Sequence, residues 1–213
     1  MTTMAMFPLA SVLFPGMPMA LRVFEDRYLV MMSRVLQQDT PEFGVVLIER
    51  GSEAGGGEQR FGVGTVAHIT QMETDGHTLG LVVRGTRRIE VTRWLADRPH
   101  PHAEVQDLPN LEWTDALQPL RDKAEVVVRR TLAQASEFTE GQWPAEIGLS
   151  DDPIESSWQL AGVAPIGPLD QVQLLSAATA EQLLQGIIDA TTGAAEVLTA
   201  NWDDDEFPSI DDE

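Results

Sequence analysis

Apolar positions in the first hundred residues fall in short runs rich in branched side chains. Met19–Phe24, Phe43–Ile48, Gly64–Met72, Leu79–Val83 and Ile89–Trp94 are each bounded by Gly, Asp or Pro. Such runs predict strands, because β-branched and aromatic side chains pack well on a pleated surface. The Asp75-Gly76 pair between the third and fourth runs is the pair a tight hairpin turn favours. Together they predict antiparallel strands closing a barrel or compact sheet. One stretch departs from this pattern: Asp26 to Gln38 places Leu29, Met32, Val35 and Leu36 on one helical stripe, opened by acidic residues and followed by Pro41. A helix there can plug one end of a barrel. The glycine-rich segment from Gly51 to Glu58 reads as a flexible loop, and with no lysine after its glycines it is not a phosphate-binding loop.

Between Pro99 and Pro109 the pattern falters, and from Thr114 the period changes. Leu117, Leu120, Ala124, Val127, Val128 and Leu132 recur at three-or-four spacing, which predicts a helix from Asp115 to about Phe138. Asp152-Pro153 supplies an N-cap and a proline at the first helical position, and Ile154, Trp158, Leu160 and Ala161 continue the run until Pro165-Ile-Gly-Pro168 breaks it. A short helix at Leu169–Ser176 follows. Thr179-Ala-Glu-Gln182 is a capping box opening a helix with Leu183, Leu184, Ile187, Ile188 and Leu198 inward. The predicted fold is α+β: a barrel subdomain over 1–110, a helical-bundle subdomain over 111–201, and a tail over 202–213. That tail is expected to be disordered, since 7 of the last 11 residues are acidic.

Charge narrows the partners. The formal net charge is -20, and residues 114–213 hold 20 acidic and 4 basic side chains against 14 and 10 in residues 1–113. Such a surface repels phosphate backbones and anionic lipid, so neither nucleic acid nor a membrane is the expected partner. There are no cysteines, which excludes disulfides, thiolate metal sites and cysteine nucleophiles. Met1 to Gly16 lacks a basic start and a cleavage site, and no stretch reaches the roughly 18 apolar residues of a membrane span. The expected location is cytoplasmic.

The most specific signal is N-terminal. Met6-Phe-Pro-Leu-Ala-Ser-Val-Leu-Phe-Pro-Gly-Met-Pro-Met-Ala-Leu-Arg-Val-Phe-Glu-Asp-Arg-Tyr28 resembles the opening of Lon protease substrate-binding domains, where Phe-Pro-Leu, Leu-Phe-Pro-Gly and Leu-x-Val-Phe-Glu-x-Arg-Tyr follow in that order. Phe43–Ile48, Gly62-Val-Gly-Thr-Val66 and Val83-Arg-Gly-Thr-Arg-Arg-Ile89 fall where the family has its later strands. The resemblance is good from about Met6 to Trp94 and looser to about Asn201. It implies a PUA-like antiparallel β-barrel followed by a C-terminal helical bundle, matching what the periodicity predicts, and a role in binding substrates. Full-length Lon proteases add an ATPase motor and a Ser-Lys peptidase. No Gly-Lys-Ser/Thr motif occurs in these 213 residues, and the one lysine, Lys123, sits in a helical setting. The expectation is a stand-alone, non-catalytic module without cofactor or metal. Its expected partner is unfolded or extended polypeptide or another protein, a separate protease among them.

Two candidate contact regions stand out. Val12, Leu13, Phe14 and Met17 surround the Phe14-Pro15-Gly16 crossing, and fit either an irregular crossing of strands or an exposed apolar surface for extended segments. Arg84, Arg87 and Arg88 cluster beside Gly85, and fit either a cleft for a carboxylate or acidic peptide or a set of salt bridges. The second reading of function is a small-molecule or peptide sensor or hydrolase in the cleft between barrel and bundle, with Arg84, Arg87 or Glu25 recognising the ligand. His68 and His77, and the His100-Pro101-His102 pair, could be read as metal ligands, but with no Cys, and no Glu at helical spacing from either pair, they fit solvated or edge histidines better.

Overall fold

The structure, a computed structural model, describes residues 1–50, 59–136 and 143–203. The loop at 51–58 and the acidic tail from residue 204 lie outside the described residues. Six strands form one sheet: β1 (Thr2–Leu9), β2 (Pro18–Val23), β3 (Glu42–Arg50), β4 (Gln59–Thr74), β5 (Leu79–Trp94) and β6 (His102–Asp107). The order is β2-β5-β4-β3-β1-β6, and β6 pairs with β5 as well as β1. Five strands therefore return on themselves as a closed ring, while β2 is attached outside it to the first half of β5. All pairings between strands are antiparallel except β1 with β3.

Pattern reading missed β1 and β6, and split β5 into two. Leu79–Val83 and Ile89–Trp94 are one continuous 16-residue strand, because Arg84, Gly85 and Arg88 of the segment between them pair with His68, Ala67 and Thr65 of β4, with one register shift at Thr86-Arg87. Its two halves serve different partners, β2 through Leu79–Arg84 and β6 through Ile89–Trp94. Register shifts against β4 between Thr65 and Ala67 and between Ile69 and Gln71 let the long hairpin bend from one pairing to the other.

Strand alternation divides the buried side chains between the two faces of the sheet. Met6, Val46, Val66, Ile89, Ala103 and Val105, drawn from all five ring strands, form one small cluster inside the ring. Phe7, Leu9, Phe43, Val45 and Ala67 face the other way, into a core shared with the helices. Strands β1 and β3 are therefore buried on both faces, which explains the unbroken apolar run of Phe43–Ile48.

Helix α1 (Asp26–Val35) covers part of the outer face through Tyr28, Met31, Met32 and Val35, with the Tyr28 and Phe7 rings stacked 4.2 Å apart. A 3-10 turn at Asp115–Leu117 leads into α2 (Gln118–Ser136), followed by α3 (Pro153–Val163), α4 (Pro168–Leu175) and α5 (Ala180–Asp203). The expected caps form. Asp152 Oδ1 accepts from the Glu155 N–H at 2.7 Å, and Thr179 Oγ1 accepts from the Gln182 N–H at 3.1 Å. The Gln182 side chain accepts from Ala178 N–H, one residue before the expected partner. Helices α2 and α5 pack through Ala124, Val128 and Leu132 against Leu183, Leu184, Ile187 and Ile188.

Packing makes two neighbouring glycines unequal. A Cβ at Gly64 would run into the Val45 carbonyl oxygen and lie 2.7 Å from Val46 Cγ1, whereas one at Gly62 meets nothing within 4 Å. Gly64→Ala is expected to destabilise the fold by about 1–3 kcal/mol through overpacking. Gly62→Ala is expected to be neutral or to add up to about 1 kcal/mol, since alanine loses less entropy in a strand. Thermal unfolding of the two variants measures the contrast.

Candidate functional site

The Phe14-Pro15-Gly16 crossing forms a joint inside the protein. Leu13, Phe14 and Met17 are buried, Phe14 to 1% exposure, and Val12 is half-buried. Phe14 stacks on Trp158 of α3 with ring centroids 6.1 Å apart, and Met17 packs against Gly162 of the same helix. Backbone bonds fasten the crossing to β5: Gly16 N–H donates to Gly85 O and Gly85 N–H to Met17 O, both at 2.9 Å. Gly85 permits that approach, because a Cβ there would strike the Phe14 carbonyl. Of the two readings of Val12, Leu13, Phe14 and Met17, the irregular crossing holds for the buried Leu13, Phe14 and Met17, which form an interior contact between the strand half and the helical half rather than an exposed apolar surface. Apolar character alone could not separate these roles, because both require it.

The three arginines also diverge. Arg84 pairs with Glu155 across the cleft, and Glu155 accepts in turn from Ser150 Oγ at 2.7 Å. Arg87 bridges Glu42 at 2.8 Å and Asp107 at 3.2 Å, which raises its pKa against the opposing effect of desolvation. Arg88 is only 6% exposed, and its hydrogen bonds run to carbonyls: Leu175 O at 2.9 Å, Ala177 O at 2.6 Å and Pro109 O at 2.7 Å. Its guanidinium lies 4.9 Å from the Trp158 ring centroid. Burial lowers its pKa, but an arginine keeps its proton throughout the working range. These residues line a cleft of about 360 Å³ between the halves, together with Asp152, Glu155 and Trp158. The cleft does gather the arginines with carboxylates, but each guanidinium is committed to a partner within the fold.

The histidine pair is similarly inward. The His100 and His102 rings lie 4.0 Å apart, and His100 is buried. His100 Nδ1 is 3.2 Å from the Pro101 carbonyl, so that nitrogen carries the proton, while the buried Nε2 has no partner among the described residues. Burial pushes its pKa below the ordinary 6.5, with His102 and Arg34 adding to the effect and the Pro101 bond and Asp97 opposing it. Among the described residues no three His, Cys, Asp or Glu side chains gather as a metal site.

The open surface lies elsewhere, around β2. Since Pro18 has no N–H, its register opposite Arg84 is a non-hydrogen-bonded pair, as the Gly85-to-Met17 bond also requires. Met19, Leu21 and Val23 therefore bond to β5, while the N–H and C=O groups of Ala20 and Arg22 point away from it. Both residues are exposed. Along this edge runs a groove of about 440 Å³ with Phe7, Leu9 and Tyr28 in its wall. On the β4–β5 side two further hollows, of about 590 and 230 Å³, also include Ala20 and Leu21. Phe24 and Met72 flank these hollows at 62% and 54% exposure. The hairpin beside them is fixed by Asp75, whose carboxylate accepts from the His77 and Thr78 N–H groups at 3.0 and 2.7 Å and is held below its usual pKa by those bonds. Sequence reading identified β2 but missed its edge. The available signal was Pro18, since a proline opening a strand suits an edge.

A closed strand ring with one appended edge strand, joined through a shared core to a helical bundle, defines a two-part α+β domain. The model for the substrate-binding domain of ATP-dependent protease La (LON) matches residues 3–192, and the chain belongs to that family. It is similar to the crystal structure of a Lon N-terminal domain protein from Xanthomonas campestris, with 25% identity, a TM-score of 0.64, and coverage of 89% of this chain and 98% of that one. The N-terminal domain of the Mycobacterium avium complex Lon protease shares the fold at 19% identity and a TM-score of 0.64, covering 90% and 98%. No curated protein matches the chain in sequence.

Two outcomes follow from the buried groups. Arg88→Met leaves three carbonyls without a donor and is expected to cost about 3 kcal/mol or more in urea unfolding, whereas Arg84→Ala, at an exposed pair, is expected to cost less than about 1 kcal/mol. His100 has a lower pKa folded than unfolded, so the unfolded chain takes up its proton first. Stability is expected to be complete above pH 6.5 and to fall as pH drops through and below that value. Urea midpoints measured from pH 7.5 to 5 test this, and His100→Asn is expected to flatten the slope.

Proposed function

We propose that the chain is a non-catalytic module that holds unfolded or extended polypeptide, serving as an adaptor in protein quality control. The contact face is the open edge of β2 with the neighbouring β4–β5 hairpin. The observation that carries this reading is the convergence of three hollows on β2, flanked by exposed Phe24 and Met72. Unfolded segments offer apolar side chains and free backbone groups, and this face offers the apolar wall of Phe7, Leu9 and Tyr28, exposed Phe24 and Met72, and the outward backbone groups of Ala20 and Arg22 in return. Membership of the substrate-binding family supports the same class of role. The buried Leu13–Met17 joint and the paired arginines act indirectly, by holding the sheet that presents the face.

The test is fluorescence anisotropy with a permanently unfolded client, a reduced and alkylated protein, against the same protein folded. The unfolded form is expected to bind and the folded form not. The double change Phe24→Ser, Met72→Ser is expected to weaken binding at least tenfold without lowering the unfolding midpoint. Binding that survives this change intact would place the contact elsewhere, and no binding to the unfolded client would refute the reading.

A further inference from the structure

We infer that the free edge of β2 takes up an extended polypeptide segment by strand addition, and that the segment it favours alternates apolar with cationic residues. This rests on the polypeptide-binding reading above and specifies how that site works.

The backbone geometry comes first. Ala20 and Arg22 present two N–H and two C=O groups outward on an exposed strand, with the Pro18 carbonyl at one end. An added strand satisfies these groups in the same way that β5 satisfies Met19, Leu21 and Val23 on the opposite side. Pro18 has no N–H to offer, so pairing ends there, and the contact is confined to the six residues of β2. A length this short gives the contact a modest affinity and a defined register.

The surroundings set the side-chain preference. In a paired strand alternate side chains point to opposite faces. On the core side, Met19 and Leu21 lean on the main core beside Phe7, Leu9 and Tyr28, so every second residue of the incoming segment meets an apolar floor. The carboxylates lining these hollows are Glu73 and Asp75, together with Glu25, which Arg27 already holds at 3.1 Å, and among the described residues the one cation lining them is Arg22. The Asp75 carboxylate stays ionised because two backbone N–H groups hold it so. A net charge of -20 adds a long-range pull on a cationic segment and disfavours a second copy of this chain at the same edge.

The experiment uses the whole chain and fluorescein-labelled peptides alternating valine and lysine, read by anisotropy at low and physiological salt. Three comparisons carry it: Ala20→Pro, which removes an outward N–H and no bond to β5; peptides N-methylated on one or the other alternate set of residues; and the same peptide with glutamate for lysine. Ala20→Pro and one N-methylated set are expected to weaken binding at least tenfold, while the other set stays within about twofold. The glutamate peptide is expected to bind at least tenfold more weakly at low salt. The N-methylated peptides test the unaltered chain, so the result stands even where Ala20→Pro unfolds. If both N-methylated peptides bind like the parent while the unfolded client still binds, strand addition is wrong and the polypeptide-binding reading survives. If the glutamate peptide binds as tightly as the lysine one, the charge preference is wrong. If neither peptide nor client binds, the underlying reading fails. A dimer in light scattering that Ala20→Pro dissociates gives the edge to a second copy and overturns the proposal.

Discussion

A buried guanidinium joins the two parts of this protein. Arg88 leaves β5 and reaches the carbonyls of Leu175 and Ala177 at the end of α4, the Pro109 carbonyl of the connection, and the face of Trp158 in α3. The carbonyl end of a helix carries partial negative charge, so the cation is stabilised without a carboxylate. Separating the parts would strand both the charge and its acceptors. Phe14 stacks on the same Trp158, so the N-terminal crossing and the arginine converge on one indole. The strand half therefore cannot shift relative to the helices without dismantling this cluster.

That joint explains where the sheet can remain open. The inner face of the ring is filled by its own side chains, and the outer face is covered by α1 and the helical half. Strand β2 lies outside the ring and, among the described residues, is paired on one side only. Exposed edges invite unwanted pairing, and proteins limit it with short strands, proline and charge. Strand β2 has all three: six residues, Pro18 at its start and Arg22 next to its end. An edge limited in this way, with an apolar groove on one side and carboxylates on the other, suits selective, reversible pairing.

The architecture was largely legible in the chain. Branched runs located β2 to β5, the three-or-four spacing located the helices, and Asp152-Pro153 and Thr179-Ala-Glu-Gln182 marked starts that the structure reproduces. β1 escaped because Thr2–Leu9 contains two residues that disfavour strands, Ala5 and Pro8, and β6 because it is short and only Ala103 and Val105 of its six residues are apolar. The binding face was less legible. Leu13, Phe14 and Met17 are as apolar in the interior as they would be on a surface, and Arg84, Arg87 and Arg88 differ only in their neighbours from α3, β3, β6 and α4. Hydrophobic pattern records that a residue is buried against something, and not whether that something is the chain itself.

The central claim is that extended polypeptide is held at the β2 edge, and amide hydrogen exchange with and without an unfolded client tests it most directly. The Ala20 and Arg22 amides are expected to exchange rapidly in the free chain and to become protected when the client is added, with little change across α2 to α5. Protection confined to the helices, with Ala20 and Arg22 unaltered, would contradict it.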